Sequence, residues 1–152
     1  MLIYLDSNVY SRPLDNQTNK RIASESEAFL KIFSLIEKGL ISVLGSDLLD
    51  LEISMINHPY KRAESTENLK ICSQFVEESE DVLSMGEKLE SSCRLGGRDA
   101  LHIASAVLGN AKMFVTCDDR MIKKSKRINK VLRAEDKEIS ILNPVELVKL
   151  LK

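Results

Sequence analysis

The sequence predicts an α/β fold, a three-layer α/β/α sandwich with a central parallel sheet, built as a single domain over residues 1–152. Short apolar runs typical of buried strands alternate with longer segments of helical periodicity. Strands that alternate with helices are joined by crossovers, so they run parallel and are covered on both faces. The chain carries no repeat, low-complexity tract or linker, and its 152 residues suit one domain.

The first half of the chain predicts a strand over 1–6, a polar loop over 7–19, an amphipathic helix over 20–38, a strand over 41–44 and a helix from Ser46 or Asp47 to about Asn57. Gly39 is a good helix stop, and a serine or aspartate before an apolar helical segment is a good cap. His58-Pro59 ends the last of these helices, because the residue before proline avoids the helical conformation.

The second half predicts a polar helical stretch over 60–79, a short strand over 82–85, helices over 86–94 and 98–108, a strand over 113–117, a short basic helix, a strand over 139–142 and a final helix. Gly96-Gly97 separates the two central helices. Asn143-Pro144 opens the last helix, since proline suits the first helical position.

The composition excludes several classes of protein. No apolar stretch approaches the ~18 residues of a membrane span, and Asp6 and Asn8 interrupt the only candidate secretory segment. The three cysteines are odd in number and lack CxxC spacing, which argues against disulfides and zinc and for a cytoplasmic location. The net charge of −1 gives no overall indication of a nucleic-acid partner.

Two acidic residues directly follow apolar runs. Asp6 comes after Leu2–Leu5, and Asp118 comes after Met113–Cys117. Ligands of open α/β sheets bind beyond the carboxyl ends of the strands, so both carboxylates are candidates for a site. Helix caps and turn residues are also common at such positions, and this alternative stays open for each acid taken alone.

Glu52 is predicted to lie at the centre of the core-facing side of its helix. At about 100° per residue, Leu48 and Leu49 precede it by one turn and Met55 and Ile56 follow it by one turn. A carboxylate in that position needs compensation, because burying an unpaired charge is costly. A buried ion pair with Lys or Arg is the alternative to a functional site.

Asp99 opens a nearly apolar helix and shares its face with Ile103, Ala106 and Val107. An acid in the first turn is favoured by the helix dipole, which explains the residue type but not the inward position. His102 lies one turn away, and we interpret it as a packed or hydrogen-bonded core residue rather than a ligand.

A cluster of Asp6, Glu52, Asp99 and Asp118 would suit Mg²⁺ or Mn²⁺, because these hard ions prefer carboxylate oxygens. Such ions polarise phosphoryl oxygens and activate water, so hydrolysis of a phosphodiester is the reaction this arrangement serves best.

Four short motifs, in this order, resemble the PIN-domain ribonucleases, and most of all the VapC-type toxins of toxin–antitoxin pairs. They are Leu5-Asp6-Ser7-Asn8-Val9, Ser46 with Glu52 six residues later, the segment 97–106 (GRDALHIASA) and Val115-Thr116-Cys117-Asp118. The strand and Asn-Pro helix of residues 139–150 also fit that family. The resemblance spans nearly the whole chain.

The resemblance implies a metal-dependent endoribonuclease whose metal-binding acids are Asp6, Glu52, Asp99 and Asp118. It further implies that Asn8 supports the first carboxylate and Thr116 the fourth, and it assigns Asp119 no role. It implies an RNA substrate, a cognate antitoxin, a homodimer and no association with a membrane. The segment 57–84 is longer and more polar than a minimal PIN domain needs, which leaves the mode of assembly open.

The segment from Arg120 to Arg133 holds seven basic residues and no acid, and it begins just after Asp118. Basic contacts to phosphates provide most non-specific affinity for nucleic acids, so we predict substrate contacts here and at the residue preceding Asp99. The predicted contact residues are Arg98, Arg120, Lys123, Lys124 and Arg127. A solvated basic face is the alternative. Aromatic residues make up only 5% of the chain, which argues against a base-stacking platform.

Two other functions remain compatible with parts of the sequence. Haloacid-dehalogenase-like enzymes and receiver domains also place acids after parallel strands and form an aspartyl-phosphate, but neither explains Glu52 and Asp99. The second alternative is a catalytically inactive module that binds RNA or an antitoxin. The presence of all four acids argues against it.

Overall fold

The structure is a computed structural model that describes residues 1–151. Five parallel strands form one sheet in the order β3-β2-β1-β4-β5. The strands are β1 (Leu2–Leu5), β2 (Ser42–Ser46), β3 (Cys72–Val76), β4 (Met113–Val115) and β5 (Ser140–Leu142). The helices are α1 (Ser7–Ser11), α2 (Lys20–Glu37), α3 (Asp47–Ser54), α4 (Pro59–Asn68), α5 (Glu80–Cys93), α6 (Gly97–Leu108), α7 (Asp119–Lys123), α8 (Ser125–Arg133) and α9 (Pro144–Leu150).

The order of the strands divides the helices into two layers. From β1 the chain moves through β2 to the edge strand β3, then returns across the sheet to β4 and β5. Right-handed crossovers in opposite directions place their helices on opposite faces. The contacts agree with this, because α2 packs on α1 and α9, whereas α5 packs on α6 and α8. The predicted three-layer sandwich with a parallel sheet is confirmed.

The central strands and α6 form the core. Ile3, Tyr4 and Leu5 of β1 are inaccessible to solvent, and so are Ile103 and Ala104 of α6. Both faces of β1 are covered, which is why its sequence is a continuous apolar run rather than an alternating one. Within residues 1–151, no helix is both long and apolar enough to cross a membrane.

The predicted loop over 7–19 is wrong in its first half, where α1 follows β1 directly and a 3-10 turn spans Arg12–Leu14. The Asp6 carboxylate accepts the backbone N–H of Ser7 and begins the helix. Val9 and Tyr10 are fully buried, so packing offsets the low helix propensity of this polar segment.

Two further predictions near the edge of the sheet are wrong. The helix over 60–79 ends at Asn68, and residues 72–76 form β3, which pairs with β2 and ends the sheet on that side. Its Phe75 is 51% exposed, so the apolar residues that suggested a helix face belong to an edge strand. Residues 82–85, predicted as a strand, lie inside α5, where the Ser79 hydroxyl accepts the Val82 N–H as the cap.

Candidate functional site

The acidic residues lie near the point where the strand order reverses, although Asp99 and Asp118 fall outside the group of close ligand atoms that Asp6, Glu52 and His102 form in the described chain. β1 and β4 are neighbours, yet their chain connections lead to opposite sides of the sheet. A crevice forms beyond the carboxyl ends of two such strands, and ligands of α/β proteins bind there. Asp6 and Asp118 follow these strands, whereas Glu52 of α3 and Asp99 of α6 approach from helices.

Asp6 is 4% exposed and is held by three hydrogen bonds. Its Oδ1 accepts the Ser7 N–H at 2.8 Å. Its Oδ2 accepts the Thr116 hydroxyl at 2.8 Å and the Asn8 side-chain amide at 3.3 Å. Burial raises the pKa of Asp6, and the nearby His102 with the Thr116 and Ser7 hydrogen bonds offsets only part of this. The carboxylate therefore has a defined orientation and an uncompensated charge.

Asn8 and Thr116 join the ends of β1 and β4. The Asn8 Oδ1 accepts the Cys117 N–H at 3.1 Å, and the Thr116 hydroxyl accepts the Asp118 N–H at 3.1 Å. Asn8 contacts the first carboxylate, as the resemblance implied. Thr116 differs from that expectation, because it gives its hydrogen to the Asp6 carboxylate and contacts only the backbone of Asp118.

Glu52 lies at the edge of the buried face of α3 and not at its centre, because Leu49 and Ile53 are buried but Met55 is 52% exposed. The side chain itself is 15% exposed. Its Oε1 lies 2.5 Å from the His102 Nε2, and its Oε2 lies 3.8 Å from the Arg98 guanidinium. Burial would raise the pKa of Glu52, but the hydrogen bond from His102, with a smaller contribution from Arg98, lowers it.

His102 is a buried, hydrogen-bonded residue, as we interpreted it from the sequence, and it also lies beside two of the acids. It is buried, its Nδ1 lies 2.6 Å from the Tyr4 hydroxyl, and its Nε2 lies 3.9 Å from Asp6. Ligand atoms of Asp6, Glu52 and His102 all lie within 4.8 Å of one another. The available signal was its helical spacing from Asp99, which puts both residues on the same side of α6.

Asp99 is half-buried in the first turn of α6 and makes no hydrogen bond or ion pair with any residue in the described range 1–151. Burial raises the pKa of Asp99, and the charges of Asp6, Asp118 and Glu52 raise it further, while His102 opposes them. The negative charges of the three other acids therefore act on Asp99, and no hydrogen bond or ion pair within the described part of the chain offsets them.

Asp118 caps α7 and is 24% exposed. Its Oδ1 accepts the Arg120 N–H at 2.9 Å and lies 3.5 Å from the Arg120 guanidinium. Asp99 and Asp118 line one cleft of about 250 Å³ together with Arg94, Arg120 and Lys124. Lys124 donates to the Arg94 carbonyl at 2.7 Å, which closes the side of this cleft.

The predicted basic contacts separate into two groups. Arg120 and Lys124 line the acidic cleft, and Arg98 pairs with Glu52. Lys123 and Arg127 are exposed and are not among the residues that line this cleft. Arg94, which we did not predict, belongs to the first group. Its left-handed backbone (φ 55°) ends α5 and turns the chain toward the site.

Asp119 points away from the cluster and forms an ion pair with Arg21, with N···O distances of 2.6 and 2.8 Å. The same guanidinium donates to the Cys117 carbonyl at 3.1 Å. Arg21 therefore holds the residues on either side of Asp118. This ion pair engages both carboxylate oxygens of Asp119.

Glu25 is, with Asp6, one of two acids that are almost fully buried in the described chain, and we did not predict it. It is 1% exposed, pairs with Arg12 at 2.9 Å and Arg21 at 3.4 Å, and accepts a hydrogen bond from Asn143. Its spacing from Ile22, Phe29 and Ile32 could have identified it as part of the inward face of α2. It supports Arg21 and the cap of α9, so its role is structural.

The donor set fits a hard divalent cation. Asp6 and Glu52 offer oxygen atoms within 4.8 Å of one another, Asp99 and Asp118 offer oxygen atoms to the cleft that they line, and burial raises the pKa of both Asp6 and Asp99. Both nitrogens of His102 already contact protein partners. Carboxylate-rich sites of this kind suit Mg²⁺ or Mn²⁺.

Comparisons with known proteins agree with this geometry. A family model described as PIN domain matches residues 3–127, which include all four acids. A chain of the "Crystal structure of VapBC2 from Rickettsia felis bound to a DNA fragment from their promoter" superposes with a TM-score of 0.62. The match covers 94% of this chain and 98% of that one at 16% identity, so it shows a shared fold. No curated protein matches the sequence significantly. Since the family model covers most of the sequence, the chain belongs to the PIN-domain family.

Proposed function

We propose that this protein is a Mg²⁺- or Mn²⁺-dependent endoribonuclease, the toxin of a toxin–antitoxin pair, and that it acts in the cytoplasm. The observation that carries the proposal is the position of Asp99, which faces three other acids and has no compensating partner among the described residues. Four carboxylates at a topological switch point form a site that a cation would stabilise.

Asp6, Glu52, Asp99 and Asp118 would hold the metal. When bound, such an ion polarises a phosphoryl oxygen and lowers the pKa of a water molecule. The chain supplies rigidity on one side, where Asp6 is fixed by Thr116 and Ser7 and Glu52 is fixed by His102. On the other side Asp99 and Asp118 face an open cleft, through which a phosphodiester can approach.

Arg94, Arg120 and Lys124 would bind the phosphates that flank the scissile bond, because they line the same cleft as Asp99 and Asp118. Their positive charge offsets the repulsion between RNA and the acids. The wild-type chain should cleave RNA with Mg²⁺ or Mn²⁺, and both chelation and Asp6→Asn should abolish cleavage. Cleavage that survives chelation, or a fully active Asp6→Asn variant, would show that the proposal is wrong.

The structure gives no support to aspartyl-phosphate chemistry at Asp6. Asp6-Ser7-Asn8 lacks the second aspartate of the dehalogenase pattern, and an aspartyl-phosphate would leave Glu52 and Asp99 without a role. Incubation with beryllofluoride should therefore leave the protein unmodified. A trapped adduct on Asp6 or Asp118 would favour the alternative function.

We further propose a homodimer and a cognate antitoxin as partners. The similar structure from Rickettsia felis is that of VapBC2 bound to a DNA fragment from their promoter. In this chain α3, α4 and β3 expose large apolar side chains, namely Leu51, Met55, Tyr60 and Phe75. Apolar residues exposed in such number are typical of protein interfaces.

Two of the basic residues in the cleft should contribute to RNA affinity, and two on α8 should not. We expect the double variant Arg120→Gln, Lys124→Gln to change how RNA binding depends on salt. The slope of the logarithm of the RNA association constant against the logarithm of the salt concentration should fall in magnitude by about 1.4, as the loss of two phosphate contacts predicts for a single strand. Lys126→Gln with Lys130→Gln removes the same charge from exposed positions and serves as the control. Equal effects in the two double variants would assign RNA affinity to the overall charge and not to the cleft.

A further inference from the structure

A continuous line of polar side chains runs through the core to Glu52. The Ser46 hydroxyl lies 2.8 Å from the Tyr4 hydroxyl, and Tyr4 lies 2.6 Å from the His102 Nδ1. The His102 Nε2 then lies 2.5 Å from the Glu52 Oε1. Ser46, Tyr4 and His102 are all buried, so these groups must satisfy one another.

Ser46, the cap of α3, favours one assignment of donors and acceptors along this line of hydrogen bonds. The Ser46 hydroxyl accepts the Leu49 N–H at 3.1 Å, which leaves its own hydrogen for Tyr4. Tyr4 can then donate only to the His102 Nδ1. His102 consequently carries a hydrogen on Nε2, which it donates to the Glu52 carboxylate.

The opposite direction leaves buried groups unsatisfied. A hydrogen on the His102 Nδ1 would be donated to Tyr4, and Tyr4 would donate to Ser46. The Ser46 hydrogen would then lack an acceptor among the described residues, which is unfavourable for a buried hydroxyl. If Nδ1 carried the only hydrogen of the ring, the lone pair of Nε2 would also face a carboxylate oxygen 2.5 Å away.

We infer that Ser46 and Tyr4 hold His102 in the tautomer that carries its hydrogen on Nε2, so that His102 positions Glu52 and is withheld from the metal. This inference rests on the metal site of the proposed function. Imidazole nitrogen favours ions such as Zn²⁺ and Ni²⁺, whereas carboxylates favour Mg²⁺ and Mn²⁺.

The tautomer can be read directly by ¹⁵N NMR of histidine-labelled protein without metal. The chain has two histidines, and His58 is exposed, so His58→Gln assigns both signals. We expect His102 to be protonated on Nε2 and bare on Nδ1. Tyr4→Phe keeps the ring that stacks on Phe114 but removes the hydroxyl that contacts Nδ1, so the Nδ1 signal should move toward that of a nitrogen without a hydrogen bond. A bare Nε2 in the wild-type protein would overturn the inference.

Calorimetry with the metal alone tests the positioning role. His102→Gln retains an N–H that can reach Glu52 and should bind Mn²⁺ within a few-fold of wild type. His102→Leu should bind roughly 10- to 100-fold more weakly. Equal Mn²⁺ affinities of the Gln and Leu variants would contradict the inference.

Failure of this inference and failure of the proposed function are distinguishable. The NMR measurement requires neither metal nor RNA. A wild-type protein with the expected tautomer that does not cleave RNA would refute the endoribonuclease proposal alone. An active enzyme with the opposite tautomer would refute the role of Ser46 and Tyr4 alone.

Discussion

Asp99→Asn should stabilise the metal-free protein and, at the same time, remove its response to Mg²⁺. Burial and three neighbouring acids raise the pKa of Asp99 above that of the unfolded chain. A carboxyl group whose pKa is higher in the folded protein favours folding at pH values below its unfolded-state pKa. This contribution to stability is lost as the pH rises through its folded-state pKa. At neutral pH the wild-type protein therefore carries an unfavourable charge, which the amide removes.

We expect the melting temperature of Asp99→Asn at neutral pH in chelator to exceed that of the wild-type protein by about 2–4 °C, the shift that ~1 kcal/mol produces in a chain of this size. The difference should shrink as the pH falls toward the range in which aspartate protonates. Added Mg²⁺ should raise the melting temperature of the wild-type protein but not of the variant. The RNA cleavage rate of the variant should fall by at least roughly 100-fold, more than outer contacts of metal sites typically cost.

Glu87→Gln is the matched control for Asp99→Asn. It removes one negative charge from an exposed position on α5. It should change neither the melting temperature in chelator nor the response to Mg²⁺. If Asp99→Asn is destabilised without metal, or if it still gains stability from Mg²⁺, the acid cluster does not form the metal site.

Glu25→Ala should destabilise the fold by about 1–3 kcal/mol, the typical cost of leaving the partners of a removed buried group unsatisfied. The substitution leaves the Arg12 guanidinium, which is 20% exposed, without its buried partner. It also removes the acceptor of the Asn143 amide. Urea denaturation followed by circular dichroism measures the difference directly.

Glu27→Ala on the same helix is the control, because Glu27 is 69% exposed and pairs only with Lys31 at 3.3 Å among the described residues. Its loss should cost less than about 1 kcal/mol, as for other surface ion pairs. Similar costs for the two variants would show that the Glu25 network contributes little to stability. We also expect Glu25→Ala to reduce activity beyond its stability effect, since Arg21 loses the partner that steadies it beside Asp118.

Local sequence patterns predicted the elements that are buried in the structure, because burial restricts the residue types at their positions. The apolar runs of β1 and β4 predicted both strands and the acids that follow them, because strands buried on both faces must be apolar throughout. The edge strand β3 was not predicted, because it lacks the burial that restricts residue types in β1 and β4. Its side chains are mostly exposed, so neither burial nor alternation marks it.

The residues around the acids were harder to anticipate than the acids themselves. Thr116 and His102 have ordinary sequence neighbours, and their roles arise from contacts 110 and 50 residues away. Glu25 has helical spacing that a wheel could have found, but its partners Arg12 and Asn143 lie on other elements. Lys123 and Arg127 belong to the same basic run as Lys124, and only the fold separates them from the cleft.

The sequence by itself determined the α/β class, the parallel sheet and the four acids, because burial restricts residue type along each strand and helix. The tertiary structure alone decided which groups face those acids. It brings His102 into contact with Glu52 and leaves Asp99 without a partner in the described chain. It also places only part of the basic segment at the cleft. The physical reason is that hydrogen bonds and charge interactions depend on distances of a few ångströms between segments that are far apart in the sequence.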